Sequence, residues 1–447
     1  MRLVEPANAA MLTDLYELTM AASYFGRAMN ELATFELFIR SLPAERNFLV
    51  AAGLEDALDY LESFHFSEDG LGYLSTLGLF DEAFLGYLRD FRFTGDVWAM
   101  AEGEAVFPQE PLLRVTAPLI EAQFVETFLL NCISYQTMVT SKAARISIAC
   151  EGRAFVDFSP RRDHGADAAL KAARASFIGG ADATSNVLAG QLFGIPVSGT
   201  MAHSYVMSFE REIDAFQQYA ADFPGQATLL LDTYDTIAGA QNAVVVGREL
   251  AANGETLHGV RLDSGDMDAL SREVRAMLDA AGLRDTEIFA SGDLDEHRIR
   301  ALLSAGAPID AFGVGTQLGT SADAPALGAV YKLVENTSGP RMKRSTGKAT
   351  LPGTKQVYRV ERGGTFEHDT IALAEEPAME GRPLLEPVMR GGRRTGPSPL
   401  LRAVRDRAAV SVRSLPAHLR ALDGPRTPYP VGISAGIQAL IQGGAHG

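Results

Sequence analysis

Residues Ile195–Tyr205 read I-P-V-S-G-T-M-A-H-S-Y, and this stretch predicts both the fold and the place of the functional site. Its first part, Ile195–Val197, is short and apolar like a buried strand, and its last part begins a helical pattern. Between them lie hydroxyl residues, a glycine and His203. Small polar residues between a strand and a helix are typical of the strand's carboxyl end, which faces the ligand in α/β proteins.

Strand-like and helix-like segments alternate on both sides of this stretch. The predicted strands are Ala154–Phe158, Ile195–Ser198, Thr228–Leu231, Gly259–Leu262, Glu287–Ala290 and Ala311–Val314. The predicted helices between them are Ala166–Phe177, Ile237–Asn253, Met267–Ala281 and Asp295–Ala305. Successive strands lie roughly 25–40 residues apart, which is the length of a βα repeat. Six such strands fit either a parallel barrel or an open doubly wound sheet.

The flanking regions lack this repeat, and we therefore predict three parts. Residues 1–150 form a mixed α+β domain, residues 151–336 hold the active site, and residues 337–447 form a C-terminal extension that packs on the other domains. The elements predicted in the first part are a helix within 11–29 capped by Thr13 or Asp14, a strand at Thr34–Arg40, a helix at Gly53–Phe64, an antiparallel sheet within 95–118 and a helix at 119–146.

Composition excludes several classes of protein. The 447 residues carry a formal charge of -16 and no basic arm, so nucleic acid and anionic membranes are not expected partners. Cys132 and Cys150 are too few for a disulfide framework or a Cys-rich zinc site, and no histidines show H-x-x-H spacing. The amino terminus has no signal-peptide core, and no apolar run approaches about 18 residues, so we expect a cytoplasmic protein.

Each predicted strand ends in polar residues or glycine. These ends are Ser159–Arg162, Gly199–Ser204, Asp232–Asp235, Asp263–Asp266, Ser291–Asp293 and Gly313–Thr316. Because the carboxyl ends of parallel strands meet at one edge of a sheet, we expect these groups to share one site. Turns are polar in any protein, but folding alone requires no arginine or histidine at such positions.

The carboxylates at these ends have more than one possible role. Asp232, Asp263, Asp266 and Asp293 can bind Mg²⁺ together with waters and substrate phosphates, or stabilise a developing sugar cation. Helix capping, a purely structural role, suits Asp266 and Asp293. The sequence leaves these alternatives open.

The basic residues and the glycines point to an anionic ligand. Arg161–Arg162 and Arg261 offer guanidinium groups, which bind carboxylate or phosphate through paired hydrogen bonds. Turns at Gly292 and at Gly315–Thr316 suit a phosphate held by backbone N–H groups. His203 can act there as a general base, a metal ligand or a nucleophile toward phosphorus.

Eight segments in this order resemble the nicotinate phosphoribosyltransferase family. They are T-D-L-Y-E-L-T-M from Thr13, F-E-L-F-I-R from Phe35, D-F-S-P-R-R from Asp157, G-G-A-D-A-T-S-N-V-L-A-G from Gly179, V-S-G-T-M-A-H-S from Val197, G-V-R-L-D-S-G-D from Gly259, A-S-G-D-L-D-E from Ala290 and F-G-V-G-T-Q-L from Phe312. The chain departs from the family at Ser159-Pro160, where relatives tend to have glycine and an apolar residue, so the geometry of that loop is expected to differ.

The resemblance implies an irregular α/β barrel of the type II phosphoribosyltransferases and a homodimer with active sites shared between subunits. It also implies a reaction in which nicotinate and 5-phosphoribosyl 1-diphosphate give nicotinate mononucleotide and pyrophosphate. In the family, this synthesis is coupled to ATP hydrolysis, depends on Mg²⁺ and serves NAD biosynthesis and salvage.

The resemblance further assigns roles to individual residues. Nicotinate would be bound by Tyr16, which stacks on the ring, and by Arg161, Thr200 and Arg261. The phosphoribosyl group would be bound by Ser264, Gly292, Gly315 and Thr316. The residues implied for catalysis are Asp232, Asp263 and Asp293, as cation or Mg²⁺ partners, and His203, as the histidine that ATP phosphorylates.

Three rival functions remain open at this point. The same fold with nicotinamide or quinolinate as its base is the nearest one. A non-catalytic sensor of a phosphorylated metabolite is the second. The third is a phosphosugar isomerase or aldolase, for which Lys332 is the only candidate lysine at a strand end, although a phosphate contact explains Lys332 better.

Overall fold

The computed structural model describes residues 4–345, 349–423 and 427–443. The chain forms two compact units, of which the first combines Met1–Ser141 with Ala326–Gly447 and the second is Lys142–Pro325. The three-part division at residues 150 and 336 stays a prediction. Within the described ranges, no helix combines the length and the apolar character needed to cross a membrane.

The amino-terminal part of the first unit alternates helices with strands. After a 3-10 helix at Ala9–Met11, the elements are α1 Leu15–Gly26, β1 Leu32–Ile39, β2 Leu49–Val50, α2 Leu54–Ser63, α3 Glu68–Thr76, α4 Glu82–Arg89, β3 Asp96–Met100, β4 Ala105–Val106, β5 Pro111–Pro118, α5 Leu119–Phe124 and α6 Glu126–Ala149, whose residues from Lys142 onward belong to the second unit. The helix predicted at 119–146 is thus two helices that meet at Val125. Asp14 takes the N-cap position of α1 without a capping hydrogen bond from its side chain.

The second unit alternates strands and helices as predicted. Its elements are β6 Ala154–Asp157, α7 Ala166–Ile178, β7 Ala183–Thr184, α8 Val187–Phe193, α9 His203–Val206, α10 Glu212–Asp222, β8 Thr228–Leu230, α11 Thr236–Ala252, β9 Gly259–Leu262, α12 Met267–Ala280, β10 Glu287–Ala290, α13 Glu296–Ser304, β11 Ala311–Val314 and α14 Thr316–Gly319.

The rest of the chain returns to the first unit. Its elements are β12 Ala329–Asn336, β13 Gly339–Pro340, β14 Lys355–Arg362, β15 Thr365–Leu373, β16 Arg382–Pro383, β17 Leu385–Arg390, β18 Arg393–Arg394, α15 Leu401–Ser414, α16 Ala417–Arg420, β19 Val431–Ile433 and α17 Ala435–Gln442.

A seven-stranded antiparallel sheet and a four-stranded mixed sheet organise the first unit, and in the mixed sheet β19 runs parallel to β15. The larger sheet has the order β13-β12-β1-β5-β3-β17-β18, and a second has the order β16-β14-β15-β19. β1 lies between β12 and β5, and seven of its eight residues are buried. Aromatic side chains fill much of the core, with Phe91 and Phe124 in edge-to-face contact at 5.2 Å between ring centres.

The second unit is built on a six-stranded parallel sheet in the order β7-β6-β11-β10-β9-β8. This is the parallel sheet of the predicted irregular α/β barrel, with helices between successive strands as crossover connections. All strands run in the same direction, so their carboxyl ends lie at one edge.

The strand predicted at Ile195–Ser198 is wrong. Val197 forms only an isolated parallel bridge, with Thr184 of β7, so the segment lies beside β7 on the side away from β6. Pro196 has no N–H group to donate, so the segment makes two backbone hydrogen bonds, from Thr184 N–H to the Pro196 carbonyl and from Ser198 N–H to the Thr184 carbonyl. From this edge of the sheet, the chain nevertheless continues to the helix that starts at His203.

Of the two aspartates considered for helix capping, one caps a helix and the other does not. Asp266 caps α12 by accepting a hydrogen bond from the N–H of Ala269 at 3.2 Å. Capping by Asp293 is wrong, because Asp295 caps α13 by accepting from the N–H of Arg298 at 2.8 Å.

Candidate active site

Arg261 of β9 is the centre of a polar network at the carboxyl edge of the parallel sheet. Its Nε donates to Ser291 Oγ at 2.7 Å, its Nη1 to Thr200 Oγ1 at 2.8 Å, and its Nη2 to Asp263 Oδ1 at 2.6 Å. The guanidinium also lies 5.6 Å from the centre of the Phe158 ring. The Arg261 side chain therefore contacts four separate segments of the chain, as predicted for strand ends that share one site.

Asp263 is held in its charged form. Its Oδ1 accepts hydrogen bonds from Arg261 and from Ser291 Oγ, the latter at 2.5 Å. Burial alone would raise its pKa, but the Ser291 hydroxyl, the Arg261 charge and His203 together lower the pKa below its usual value. The second carboxylate oxygen, Oδ2, faces Nε2 of His203 at 3.7 Å.

His203 is oriented from two sides. It is the first residue of α9, and its Nδ1 lies 3.1 Å from Thr233 Oγ1. With 42% of its side chain exposed, the ring remains accessible to a ligand. The hydroxyl at Nδ1 and the carboxylate near Nε2 fix the ring plane, so that Nε2 is the nitrogen next to the charged part of the network.

Asp232 is joined to the same network through backbone and hydroxyl. Its Oδ2 accepts from Ser264 Oγ at 2.5 Å and from the N–H of Asp263 at 3.3 Å. Its Oδ1 is buried and has no hydrogen-bond partner in the part of the chain that the structure describes. A carboxylate oxygen of this kind fits one position in the coordination of a Mg²⁺ ion that arrives with substrate phosphates.

Asp293 stands apart from the other two aspartates. Its backbone has φ 47°, its side chain is exposed, and its carbonyl accepts a hydrogen bond from Arg298 Nη1 at 3.0 Å. Among the residues that the structure describes, no three His, Cys, Asp or Glu side chains are grouped to hold a metal ion. The role of Asp293 as a cation partner stays a prediction.

The glycine turns allow close backbone contacts at this edge. Gly292 has φ +95°, and a Cβ there would lie 2.0 Å from the carbonyl oxygen of Asp263. Gly315 takes the N-cap position of α14, and Thr316 is the first residue of that four-residue helix. Only glycine fits at position 292, because both the positive φ and the Asp263 backbone exclude a side chain.

Thr233 and Ser291 are functional candidates that the sequence prediction did not single out. Thr233 contacts His203, and Ser291 bridges Arg261 to Asp263. Both directly neighbour a predicted site residue, Asp232 or Gly292. Position after a strand was a signal for both, but hydroxyl residues are too common in turns to be chosen on that basis.

Comparison with known proteins identifies the family. Residues 11–134 match the nicotinate phosphoribosyltransferase N-terminal domain, and residues 154–356 match the nicotinate phosphoribosyltransferase family. A nicotinate phosphoribosyltransferase of Mycobacterium tuberculosis is 49% identical over 426 residues, which cover 95% of this chain and 91% of that protein. The chain belongs to the nicotinate phosphoribosyltransferase family.

Other members and solved structures agree with this assignment. The nicotinate phosphoribosyltransferase of Bacillus subtilis is 46% identical over 83% of this chain and 77% of its own length. The crystal structure of human nicotinic acid phosphoribosyltransferase superposes with a TM-score of 0.88 at 31% identity, covering 97% of this chain and all of that one (100%). A nicotinate-nucleotide pyrophosphorylase from Pyrococcus furiosus matches with a TM-score of 0.77 at 26% identity, over 93% of this chain and 99% of that one. The predicted type II phosphoribosyltransferase fold is confirmed.

Two residues singled out in this family member lie in the first unit. Tyr16 is on α1 with 46% of its surface exposed, and partial burial followed by the Glu126 carboxylate raises the pKa of its phenol. Lys332 is on β12 of the antiparallel sheet, with Nζ 3.3 Å from Glu126 Oε1. Lys332 is thus not at the end of a parallel strand, which removes the isomerase or aldolase interpretation. Stacking of Tyr16 on a pyridine ring stays a prediction.

Arg161 and Arg162 occupy an exposed turn after β6. The turn is closed by a 2.6 Å hydrogen bond from the N–H of Arg162 to the Ser159 carbonyl. Both residues are exposed, and binding of the nicotinate carboxylate by Arg161 stays a prediction.

Proposed function

We propose that this protein converts nicotinate and 5-phosphoribosyl 1-diphosphate to nicotinate mononucleotide and pyrophosphate, and that a phosphorylated His203 couples this synthesis to ATP hydrolysis. The observation that carries the proposal is the network of Thr200, His203, Arg261, Asp263 and Ser291 at the carboxyl edge of the sheet. Family membership supports the choice of substrates.

The nicotinate carboxylate is bound by guanidinium groups in this proposal. Arg261 has its charge partly balanced by Asp263, and the Thr200 hydroxyl lies beside it, which suits a single carboxylate. Arg161 provides a second, solvent-accessible guanidinium. Tyr16 of a second subunit stacks on the ring in a homodimer with shared sites, which accounts for an aromatic side chain left exposed on α1.

The sugar chemistry requires positioning and fixed charges. The bond from the anomeric carbon to the diphosphate breaks while the pyridine nitrogen approaches, through a transition state with positive charge on the ribose. Asp232 and Asp263 supply negative charge on that face of the site, and Gly292, Gly315 and Thr316, with Ser264, hold the 5-phosphate. When bound, Mg²⁺ neutralises diphosphate charge, and Asp232 Oδ1 would hold it.

His203 is arranged for nucleophilic attack by Nε2. With the ring proton on Nδ1 and donated to Thr233 Oγ1, the lone pair of Nε2 attacks the γ-phosphorus of ATP, forming a P–N bond while the bond to the β-phosphate oxygen breaks and ADP leaves. Later attack by water on this phosphorus returns His203 and releases inorganic phosphate. The phosphoryl group adds up to two negative charges beside Asp263, and this repulsion changes the affinity of the diphosphate site between the two halves of the cycle.

The test is release of pyrophosphate by purified protein with phosphoribosyl diphosphate, Mg²⁺ and one of three bases, with and without ATP. We expect release that depends on nicotinate and is stimulated by ATP. Release with nicotinamide or quinolinate instead would assign a sister activity, and binding of the diphosphate without release for any base would assign a sensor. We further place the enzyme in cytoplasmic NAD biosynthesis, which nicotinate-dependent growth of a strain lacking other routes would test.

A further inference from the structure

The turn that carries Arg161 and Arg162 is closed by a clamp between its two ends. Ser159 is fully buried (0% exposed), and its Oγ donates to Asp163 Oδ2 at 3.0 Å. The backbone of the same two residues is also joined, since the N–H of Asp163 lies 3.2 Å from the Ser159 carbonyl. Beneath them, Asp157 Oδ1 accepts from the N–H of Ser159 at 2.9 Å. The two arginines therefore lie at the tip of a turn that is fixed at its base.

The same clamp supports the turn after β11. A Cβ on Gly319, the last residue of α14, would lie 1.9 Å from Asp163 Oδ1 and 2.4 Å from the Ser159 Cβ. The α14 backbone therefore rests directly on the clamp side chains. At the start of this helix, a Cβ on Gly315 would lie 3.2 Å from the Phe158 carbonyl, so both ends of α14 pack against residues 158–163.

We propose that Ser159 and Asp163 are positioning residues that lock the Arg161–Arg162 turn against the Gly315–Gly319 turn. The clamp then fixes the distance between the group that binds the base and the group that binds the 5-phosphate. This inference rests on the proposed function for the identity of the two ligands. It does not depend on that function for the mechanical link between the turns.

Asparagine at position 163 is the conservative replacement. Burial, followed by the nearby Asp157 carboxylate, raises the pKa of Asp163 to about 7, so a neutral side chain there is close to the native state. Asparagine keeps an oxygen that accepts from Ser159, whereas alanine removes it. Asp163→Asn should therefore retain the clamp, and Asp163→Ala and Ser159→Ala should open it.

The test combines amide hydrogen exchange without substrates and steady-state kinetics. In Ser159→Ala and Asp163→Ala, exchange should speed up both in residues 159–165 and in residues 315–320. Loss of the Ser159–Asp163 hydrogen bond should raise the KM for nicotinate and for phosphoribosyl diphosphate about tenfold, with kcat changed less than about threefold. Asp163→Asn should stay within about threefold of the wild-type KM values.

Ser271→Ala is the matched control, because Ser271 is also fully buried in the second unit and donates one hydrogen bond, to the Asp268 carbonyl at 3.0 Å. A general loss of folded protein would lower kcat and leave both KM values unchanged, as expected of this control. If Ser159→Ala behaves like Ser271→Ala in exchange and in KM, the clamp proposal is wrong. If wild-type protein shows no nicotinate-dependent turnover, the proposed function fails, and the exchange of the two segments alone decides whether the clamp links them.

Discussion

Each unit contains an arginine–aspartate pair with the same close contact but a different exposure to solvent. In the second unit, Arg261 Nη2 lies 2.6 Å from Asp263, and the side chains are 14% and 29% exposed. In the first unit, Arg359 Nη2 lies 2.6 Å from Asp369, and the side chains are 1% and 0% exposed. The contact itself therefore does not mark an active site. What distinguishes the Arg261 pair is an open side with a histidine on it.

The buried Arg359–Asp369 pair, the sealed pair, is enclosed by further polar and aromatic side chains. Tyr429 donates to Asp369 Oδ1 at 2.9 Å, and the rings of Phe107 and Phe366 lie 5.4 Å and 4.5 Å from the Arg359 guanidinium. Burial, and then the Asp369 charge, raise the pKa of the Glu110 carboxyl well above its usual value. Such a cluster specifies packing and offers no access to a ligand.

The largest effect should come from breaking the sealed pair. Arg359→Met leaves Asp369 as a buried charge without its guanidinium, which should cost about 3–5 kcal/mol of unfolding free energy. Activity per folded molecule should stay unchanged. The matched control is Arg362→Met on the same strand, whose side chain is 66% exposed and which should change stability by less than about 1 kcal/mol. Chemical denaturation measures both, and equal losses would contradict the comparison.

The second-largest effect should come from Gly292→Ala, which disturbs the network around Arg261 and Asp263. Its Cβ would collide with the Asp263 carbonyl, so the Asp263 backbone must shift and kcat/KM should fall about a hundredfold. Gly282→Ala separates strain from collision, because Gly282 also has a positive φ, +83°, but open space around it. That control should lose about 1 kcal/mol of stability and no activity. Similar kinetics for both variants would show that the contact with Asp263 is unimportant.

Thr233→Val should have a smaller and more specific effect. It removes the hydroxyl at Nδ1 of His203 and keeps the shape of the side chain, so ATP stimulation should fall about tenfold while turnover without ATP is retained. Thr233→Ser keeps the hydroxyl and should restore most of the stimulation. Unchanged stimulation in the valine variant would mean that Thr233 does not orient the ring.

The smallest effect concerns a buried carboxyl that is held by hydroxyls and an amide. Glu17 is fully buried, accepts from Thr13 Oγ1 and from Thr127 N–H and Oγ1, and burial raises its pKa to about 7. Because the pKa of Glu17 is raised in the folded state, the protonated carboxyl stabilises the folded protein. This stabilisation is fully present below about pH 4.5 and is lost as the pH rises through about 7. Wild type should therefore lose about 1 kcal/mol of unfolding free energy relative to Glu17→Gln between pH 6 and pH 7. Thermal denaturation across this range should show the trend, and parallel curves would contradict it.

Sequence patterns were sufficient for most of the parallel sheet. The strands Gly259–Leu262, Glu287–Ala290 and Ala311–Val314 were predicted with the bounds that the structure shows, because each is a short apolar run between turn residues. The sequence does not predict β7, because its two residues, Ala183–Thr184, form no apolar run, and the apolar Ile195–Val197 beside it forms a single bridge instead of the predicted strand. A strand of two residues is too short to show an alternating pattern in the sequence.

The site was predictable to the level of strand ends but not of side-chain partners. Thr200, Arg261 and Asp263 meet as expected, because parallel strands end at one edge. The hydrogen bonds of Thr233 and Ser291 depend on which hydroxyl faces inward, and that is set by packing between segments about 30 residues apart. The position of Arg161 at the tip of its turn can likewise not be predicted from the neighbouring residues alone.

The most direct test of the account is transfer of label from γ-³²P-ATP to the protein. We predict stoichiometric, acid-labile and base-stable label on wild type, mapped to the peptide with His203, and none on His203→Ala, which should also lose ATP stimulation while keeping slow nicotinate-dependent synthesis. Label at another residue, or full ATP stimulation in His203→Ala, would contradict the claim that the open Arg261–Asp263 pair serves a phosphohistidine.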